Sequence, residues 1–401
     1  MHSFFFYRNQ KNTDTAQKGA LQELKVAVQP NISVKGWPTE AGSAALAGFK
    51  ALEDAAVVER LSGQGASIVG SVKMSEFGFG LKDSRAGSAL KDKAADVELM
   101  LDMAGEARLA AARASVCGFK PSYGLISRLG LIGLIPSMEA CGILAHDIKS
   151  IREILQTIAG PDERDFSLPD EKLPDFSALK IEPKKTTLGV IAEVLNNIPA
   201  KERKAFDTEI DELKKDGFQI KELSFPDFSR FLLVHQMAGS VEASSCAGRF
   251  DSVRYGQRVP GAKNWNEMYL QSRGAAFGTL LKSYLFQGAF FQFERYRAYE
   301  DACRLRARLV QDMQKINEQA DFLIFPTLNS TASNNPESLA DLYAQFIYTM
   351  FANITGQPAL YLPSSSGSKH PGIQLAGPRL ADGRLLALGD YLLSNRQGGK
   401  S

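Results

Sequence analysis

Asp54-Ala55-Ala56-Val57-Val58-Glu59-Arg60-Leu61-Ser62-Gly63-Gln64-Gly65-Ala66-Ser67-Ile68-Val69-Gly70 decides the class of fold. From Asp54 to Ser62, the apolar Val57, Val58 and Leu61 fall on one helical face, with Asp54 as the N-cap and Gly65 as a stop. Ala66–Gly70 is a short apolar run of the length of a buried strand. Upstream, Val26-Ala27-Val28 reads as another. Strand, helix and strand in that order make a βαβ unit and predict an α/β fold with a large, mixed, mostly parallel central sheet and helices on both faces.

The rhythm returns further on. Leu188–Ile191 reads as a strand. Lys204–Asp216 reads as an amphipathic helix through Phe206, Ile210 and Leu213, stopped by Gly217. Phe218–Leu223, Phe322–Thr327 and Gly372–Leu375 read as strands. Residues 161–187 form a charged surface excursion, and 364–368 a short turn. The resulting division is a loose tail over 1–18 and one domain over 19–401.

Composition narrows the function classes. The chain has 401 residues, a net charge of +2 and 44% hydrophobic residues, which suffices for a large core. Near-neutral charge gives no electrostatic case for nucleic acid or a membrane surface. No stretch approaches the roughly 20 apolar residues of a membrane span, and the Phe4–Phe6 patch is too short for a signal peptide. The expected compartment is the cytoplasm, with an organelle matrix left open. Cys117, Cys141, Cys246 and Cys303 form no CxxC pair and read as buried thiols. His2, His146, His235 and His370 are too scattered for a metal site. No cofactor motif is present. Arg295, Arg297, Arg304, Arg306 and Arg308 are interleaved with Glu294, Glu300 and Asp301, as on a solvated helix face.

A series of strings in fixed order carries a resemblance. They include Lys35-Gly36, Thr39-Glu40-Ala41-Gly42-Ser43, Met74-Ser75-Glu76-Phe77-Gly78 and Cys117-Gly118-Phe119-Lys120-Pro121-Ser122-Tyr123-Gly124. Ile158–Asp162 follows, then Glu242–Ser245, Arg249–Gly256, Phe325–Thr327 and Asn353–Pro358. In this order the chain resembles the amidase-signature family, and within it the A-type subunits of tRNA-dependent glutamine amidotransferases. The resemblance implies one large α/β domain. It also implies hydrolysis of an amide by a nucleophilic serine, a relay serine and a neutral lysine, with backbone N–H groups holding the oxyanion.

Placed on this sequence, the implied machinery meets other residues. Gln29 stands at the lysine position and cannot act as that base. Pro30 follows it and favours an extended backbone at Gln29. Glu106 stands at the nucleophile position, in Asp102-Met103-Ala104-Gly105-Glu106-Ala107-Arg108. A carboxylate about 4 Å from a developing oxyanion would oppose it by roughly 4 kcal/mol at an effective dielectric of ~20. The relay serine survives at most as Ser84 or Ser88, and the count from Glu106 lands on Lys82. The implied substrate clamp lacks its Arg in Lys282–Gly288 and its acid near Gln345–Ile347. That predicts a pocket turned apolar.

These substitutions predict a catalytically inactive amidase-like protein serving as a scaffold or interaction subunit, bound to a heteromeric partner or to a second copy of itself. Two alternatives stand beside it. One is a working amidase or glutaminase subunit of an amidotransferase with a rewired site. The other is a small-molecule binder using the vacated pocket, lined by Gln29, Lys82, Ser84, Ser88, Glu106 and Arg108. An ion pair of Glu106 with Arg108 or Lys82 is expected there, with general-base chemistry at Glu106 as the competing role.

Overall fold

The structure is a computed structural model and describes residues 4–10, 19–177, 179–364 and 372–398. His2, His370 and residues 365–368 of the expected turn lie outside them.

Eleven strands form one sheet: β1 (Phe5–Arg8), β2 (Lys25–Val28), β3 (Ser67–Val72), β4 (Val97–Asp102), β5 (Cys117–Lys120), β6 (Ala140–Ala145), β7 (Thr187–Ile191), β8 (Gln219–Leu223), β9 (Phe322–Phe325), β10 (Ala359–Leu362) and β11 (Ile373–Ala376). Their order is β1-β3-β2-β4-β6-β5-β10-β11-β9-β7-β8. The sheet is mixed, but parallel pairing is confined to two groups, β3-β2-β4 and β9-β7-β8. Between them the chain runs antiparallel from β4 to β9. The βαβ rhythm therefore predicts the two flanking groups correctly and misses the antiparallel centre. Its strands, such as Val97–Asp102 and Ala140–Ala145, are buried throughout and show no alternation to read.

Two further expectations need correction. Phe5–Arg8, expected in a loose tail, is the edge strand β1, antiparallel to β3 with Tyr7 opposite Ser71. Asp54 does not cap the helix that follows it. That helix, α1, spans Ala56–Gly63 with Ala55 at the N-cap position and no side-chain cap, while the Asp54 carboxylate accepts the Lys35 N–H at 2.7 Å.

Helices cover the centre on both faces. The short α2 (Ser88–Lys91) leads into β4, and α3 (Glu106–Ala114) follows it. A methyl added at Gly118 of β5 would lie 2.4 Å from Ala111 Cβ, so α3 sits almost on the strand backbone. Phe119, the next residue, points to the other face and pairs with Leu360. There Gly389 of the helix Asp382–Gly398 approaches Leu360 and Ile148, the first residue of α4 (Ile148–Ile158).

Candidate active site

β2, β3 and β4 run parallel and end side by side. The segments leaving their carboxyl ends are Gln29–Asn31, Lys73–Gly80 and Met103–Glu106, the place where open α/β sheets gather ligands. Asn31 is fully buried, and a methyl at Gly78 would lie 3.6 Å from its Nδ2 and 3.8 Å from Met103 Cε. The three segments thus meet.

Glu106 is the first residue of α3, preceded by Gly105 at φ +129°. Glycine is required at that turn twice over: the dihedral is left-handed, and a Cβ would lie 2.1 Å from Thr349 Oγ1. The turn bends the Glu106 side chain back over the start of its own helix. Its Oε2 accepts N–H groups from Met103 at 2.7 Å, Ala104 at 2.8 Å and Gly105 at 3.2 Å, and its Oε1 accepts Gly80 N–H at 3.2 Å. These donors converge on one point, as they do for an anion at a helix N-terminus. Burial, and then the Asp102 carboxylate, nevertheless push the Glu106 carboxyl up to about 7, against the lowering effect of these N–H bonds. Such a group changes protonation near neutrality.

Arg108, two residues on, is fully buried and points away from Glu106. Its Nη2 bonds Asp102 Oδ1 at 3.1 Å and Asn353 Oδ1 at 2.6 Å. Its Nη1 bonds Thr349 O at 2.7 Å and Gln374 Oε1 at 2.8 Å. The expected ion pair at Glu106 is therefore not formed. Asp102 takes the arginine, and backbone N–H groups take Glu106.

A second network lies behind the Met103 backbone. His235 is fully buried in a π-helical turn, His235–Gly239, a distortion frequent at functional sites. His235 Nε2 lies 3.1 Å from Met103 O and so carries the proton, while Nδ1 lies 2.9 Å from Tyr343 Oη. Tyr284 Oη donates to His235 O at 3.2 Å. Burial pushes His235 down to about 4 and keeps it neutral, and both phenols are held above their ordinary value. Tyr284 lies in the segment expected to have lost its substrate-clamping Arg, and Tyr343 lies two residues before Gln345. Tyr284, Tyr343 and Phe346 are all buried.

The remaining sequence candidates are dispersed. Gln29 is buried at the end of β2, its N–H on Leu99 O, and its Oε1 has no hydrogen-bond partner. Ser84 Oγ accepts Ala86 N–H in a local turn, and Ser88 opens α2. Lys82 lines an open surface cleft with Glu76, Asp83 and Glu337. None of these three is hydrogen-bonded to Glu106 or Gln29. Among the described residues no serine hydroxyl bonds a lysine amine: Lys120 Nζ, brought down to about 7 by burial and Arg108, donates to Pro121 O, and Ser122 Oγ bonds Asp382. The four cysteines are not all buried, since Cys303 is exposed and Cys246 half-buried. Of the five arginines, Arg295 precedes the helix Tyr296–Asn317 and the other four lie in it, partly ion-paired through Arg304–Asp301 and Arg308–Asp227. Sequence reasoning missed Asn31 and His235. A lone Asn and a lone His carry no signal until the chain brings them to Gly78 and Met103.

The Amidase family profile matches residues 7–89 and 93–386. The chain belongs to the amidase family. Among its relatives, the A-type subunit of glutamyl-tRNA(Gln) amidotransferase from Natronomonas pharaonis is 33% identical over 414 aligned residues, covering 96% of this chain and 98% of that one. The protein of the same name from Lactobacillus gasseri is 30% identical, covering 96% and 87%. Solved structures share the fold. The A-type subunit of glutamyl-tRNA(Gln) amidotransferase from Thermotoga maritima superposes with a TM-score of 0.80 at 20% identity, covering 98% of this chain and 87% of that one. A second solved structure, named as an amidase, gives the same TM-score at 20% identity, with 98% and 92% covered.

These findings overturn the expectation of an inactive scaffold. Relatives that align from end to end carry the name of one component of an amidotransferase, and the alternative of a working subunit with a rewired site fits them better. Among the described residues no helix is long and apolar enough to cross a membrane, and no cluster of three His, Cys, Asp or Glu could hold a metal ion.

Proposed function

We propose that this chain is the amide-processing subunit of a cytoplasmic amidotransferase, acting on a C–N bond with Glu106 as its acid–base group. The observation that carries the reading is the Glu106 carboxyl itself, raised to about 7 at the head of α3 where the parallel strands end. A general base works best with its pKa near the operating pH. Ionised Glu106 takes a proton from water as the water oxygen attacks the amide carbon. The C–N bond then breaks, and the same proton leaves with the departing ammonia. When Glu106 is protonated, its hold on the N–H groups of Met103, Ala104 and Gly105 weakens. Those donors then turn to the substrate oxygen on which charge appears. His235 contributes by fixing the Met103 peptide through its carbonyl.

A protein partner is part of the reading. The relatives are named as subunits. Phe286, Phe290 and Phe293 also form one exposed stripe along the helix Thr279–Phe293, which a second subunit would cover.

Ammonia release from glutamine, asparagine and simple amides tests the proposal, with the chain alone and reconstituted with the other subunits of a related amidotransferase. Turnover lost in Glu106→Ala is expected. Failure to release ammonia in both settings rejects the reading.

A further inference from the structure

Beside the strand ends lies a cavity of about 620 Å³ walled by Leu46, Phe49, Ile132, Phe250 and Tyr255, within the size range of small-molecule sites. Its charged lining is cationic, from Arg249 and Arg254. Arg249 donates its Nε to Cys246 O at 2.8 Å and lies over the Phe250 ring at 5.9 Å, and among the described residues no carboxylate pairs with it. Arg254 is 68% exposed, and its Nη2 is 3.6 Å from Asp251 Oδ2. The Asp251 Oδ1 atom is already taken by the N–H groups of Val253 and Arg254. The far wall is firm, because the Phe250 ring packs on Phe77 with centroids 5.0 Å apart.

The cavity also abuts the candidate site. Ile132 N–H bonds Asn31 O at 2.8 Å, and Ser33, also in the lining, bonds Gly130 O. Asn31 is fully buried, yet neither its Oδ1 nor its Nδ2 has a hydrogen-bond partner, and its Nδ2 faces Gly78 beside Met103. A buried amide with both ends unsatisfied costs free energy unless a polar group reaches it.

We propose that this cavity is a docking subsite for an amide substrate built of an apolar body and an oxyanion, carboxylate or phosphate. The arginines hold the anion and the rings hold the body, on the side of the strand ends where Asn31 and Glu106 lie. The substrate role rests on the Glu106 reading, whereas anion binding in the cavity does not. Calorimetric titration of the full chain with phenylacetate, phenyl phosphate, the neutral phenylacetamide and inorganic phosphate tests it. Phenylacetate or phenyl phosphate is expected to bind at least about tenfold tighter than phenylacetamide, the weight of one charge-assisted contact. Whichever of the two anions binds tighter identifies the oxyanion. Arg249→Ala and Arg254→Ala are each expected to weaken that binding about tenfold. Equal binding of phenylacetamide overturns the proposal, as does inorganic phosphate binding as tightly as phenyl phosphate. So does unchanged affinity in both arginine variants. The comparison of charged and neutral ligands uses the unaltered chain and stands even if a variant does not fold. Anion binding without ammonia release rejects the Glu106 reading alone, and ammonia release without anion preference rejects the subsite alone.

Discussion

Replacing Arg108 with Met strips the sheet centre of its buried cation. Asp102 then keeps two polar donors, Ala107 N–H at 3.2 Å and Asn353 Nδ2 at 2.8 Å, but loses both contacts to the guanidinium. Thr349 O and Gln374 Oε1 lose a donor as well. Breaking a fully buried ion pair from one side costs about 3–5 kcal/mol, because the remaining charge is stranded in a medium that cannot solvate it. Asp102→Asn strands the arginine instead and is expected to cost a similar amount. The double variant strands neither charge, so its cost should fall short of the sum of the single variants by about 2–3 kcal/mol. Urea unfolding at pH 7 followed by circular dichroism gives all four stabilities on one axis. A loss below about 1 kcal/mol in Arg108→Met would refute the reasoning. So would single-variant losses that add to within about 0.5 kcal/mol, since independent sites behave that way.

The Asp102 charge also raises the Glu106 pKa. The acid limb of ammonia release should therefore lie near pH 7 in the unaltered chain, falling as Glu106 is protonated, and move to lower pH in Asp102→Asn; a pH–rate profile that does not move removes Glu106 as the base. Glu98 is fully buried and raised to about 8 by desolvation. It is protonated in the fold and ionised in the unfolded chain between pH 4.5 and 8, so stability falls across that window by on the order of 5 kcal/mol. Glu98→Gln should remove this slope and leave the protein more stable than the unaltered chain at pH 9, as read from urea midpoints. His235 has the opposite sign, since its lowered value makes stability fall as pH drops from about 6.5 toward 4. His235→Phe should flatten that acid limb and cost about 2–4 kcal/mol at pH 7, from the hydrogen bonds lost at the Met103 carbonyl and the Tyr343 hydroxyl.

How far the sequence could be read depended on how local each feature is. β2, β3, β7 and β8 were legible because apolar runs bounded by glycine or charge need no distant partner to be recognised. β1 was not, since Phe5–Arg8 becomes a strand only where β3 offers it an edge. The strings from Asp102 to Arg108 and from Cys117 to Gly124 singled out Glu106 in the sequence, and only the structure showed that it opens the helix Glu106–Ala114. They could not say which way its carboxylate turns. That is set by Gly105, pressed against Thr349 from far along the chain, and by Asp102, which claims Arg108 first. The missing Arg and acid are legible in Lys282–Gly288 and Gln345–Ile347 as plain residue identities. The contacts of His235 with Met103 and Tyr343 are not, because they join positions far apart along the chain.

The sequence by itself determined the family, the flanking βαβ groups and the identities of the residues at the strand ends, since helical periodicity, glycine stops and ordered strings are written along the chain. Only the tertiary structure decided that Glu106 rests on four amide hydrogens rather than on Arg108. It alone showed that Asn31 is buried without a partner, and that Arg249 and Arg254 open onto a cavity beside it. Electrostatics and desolvation act through space, and no spacing in a linear sequence encodes which charge reaches which donor first.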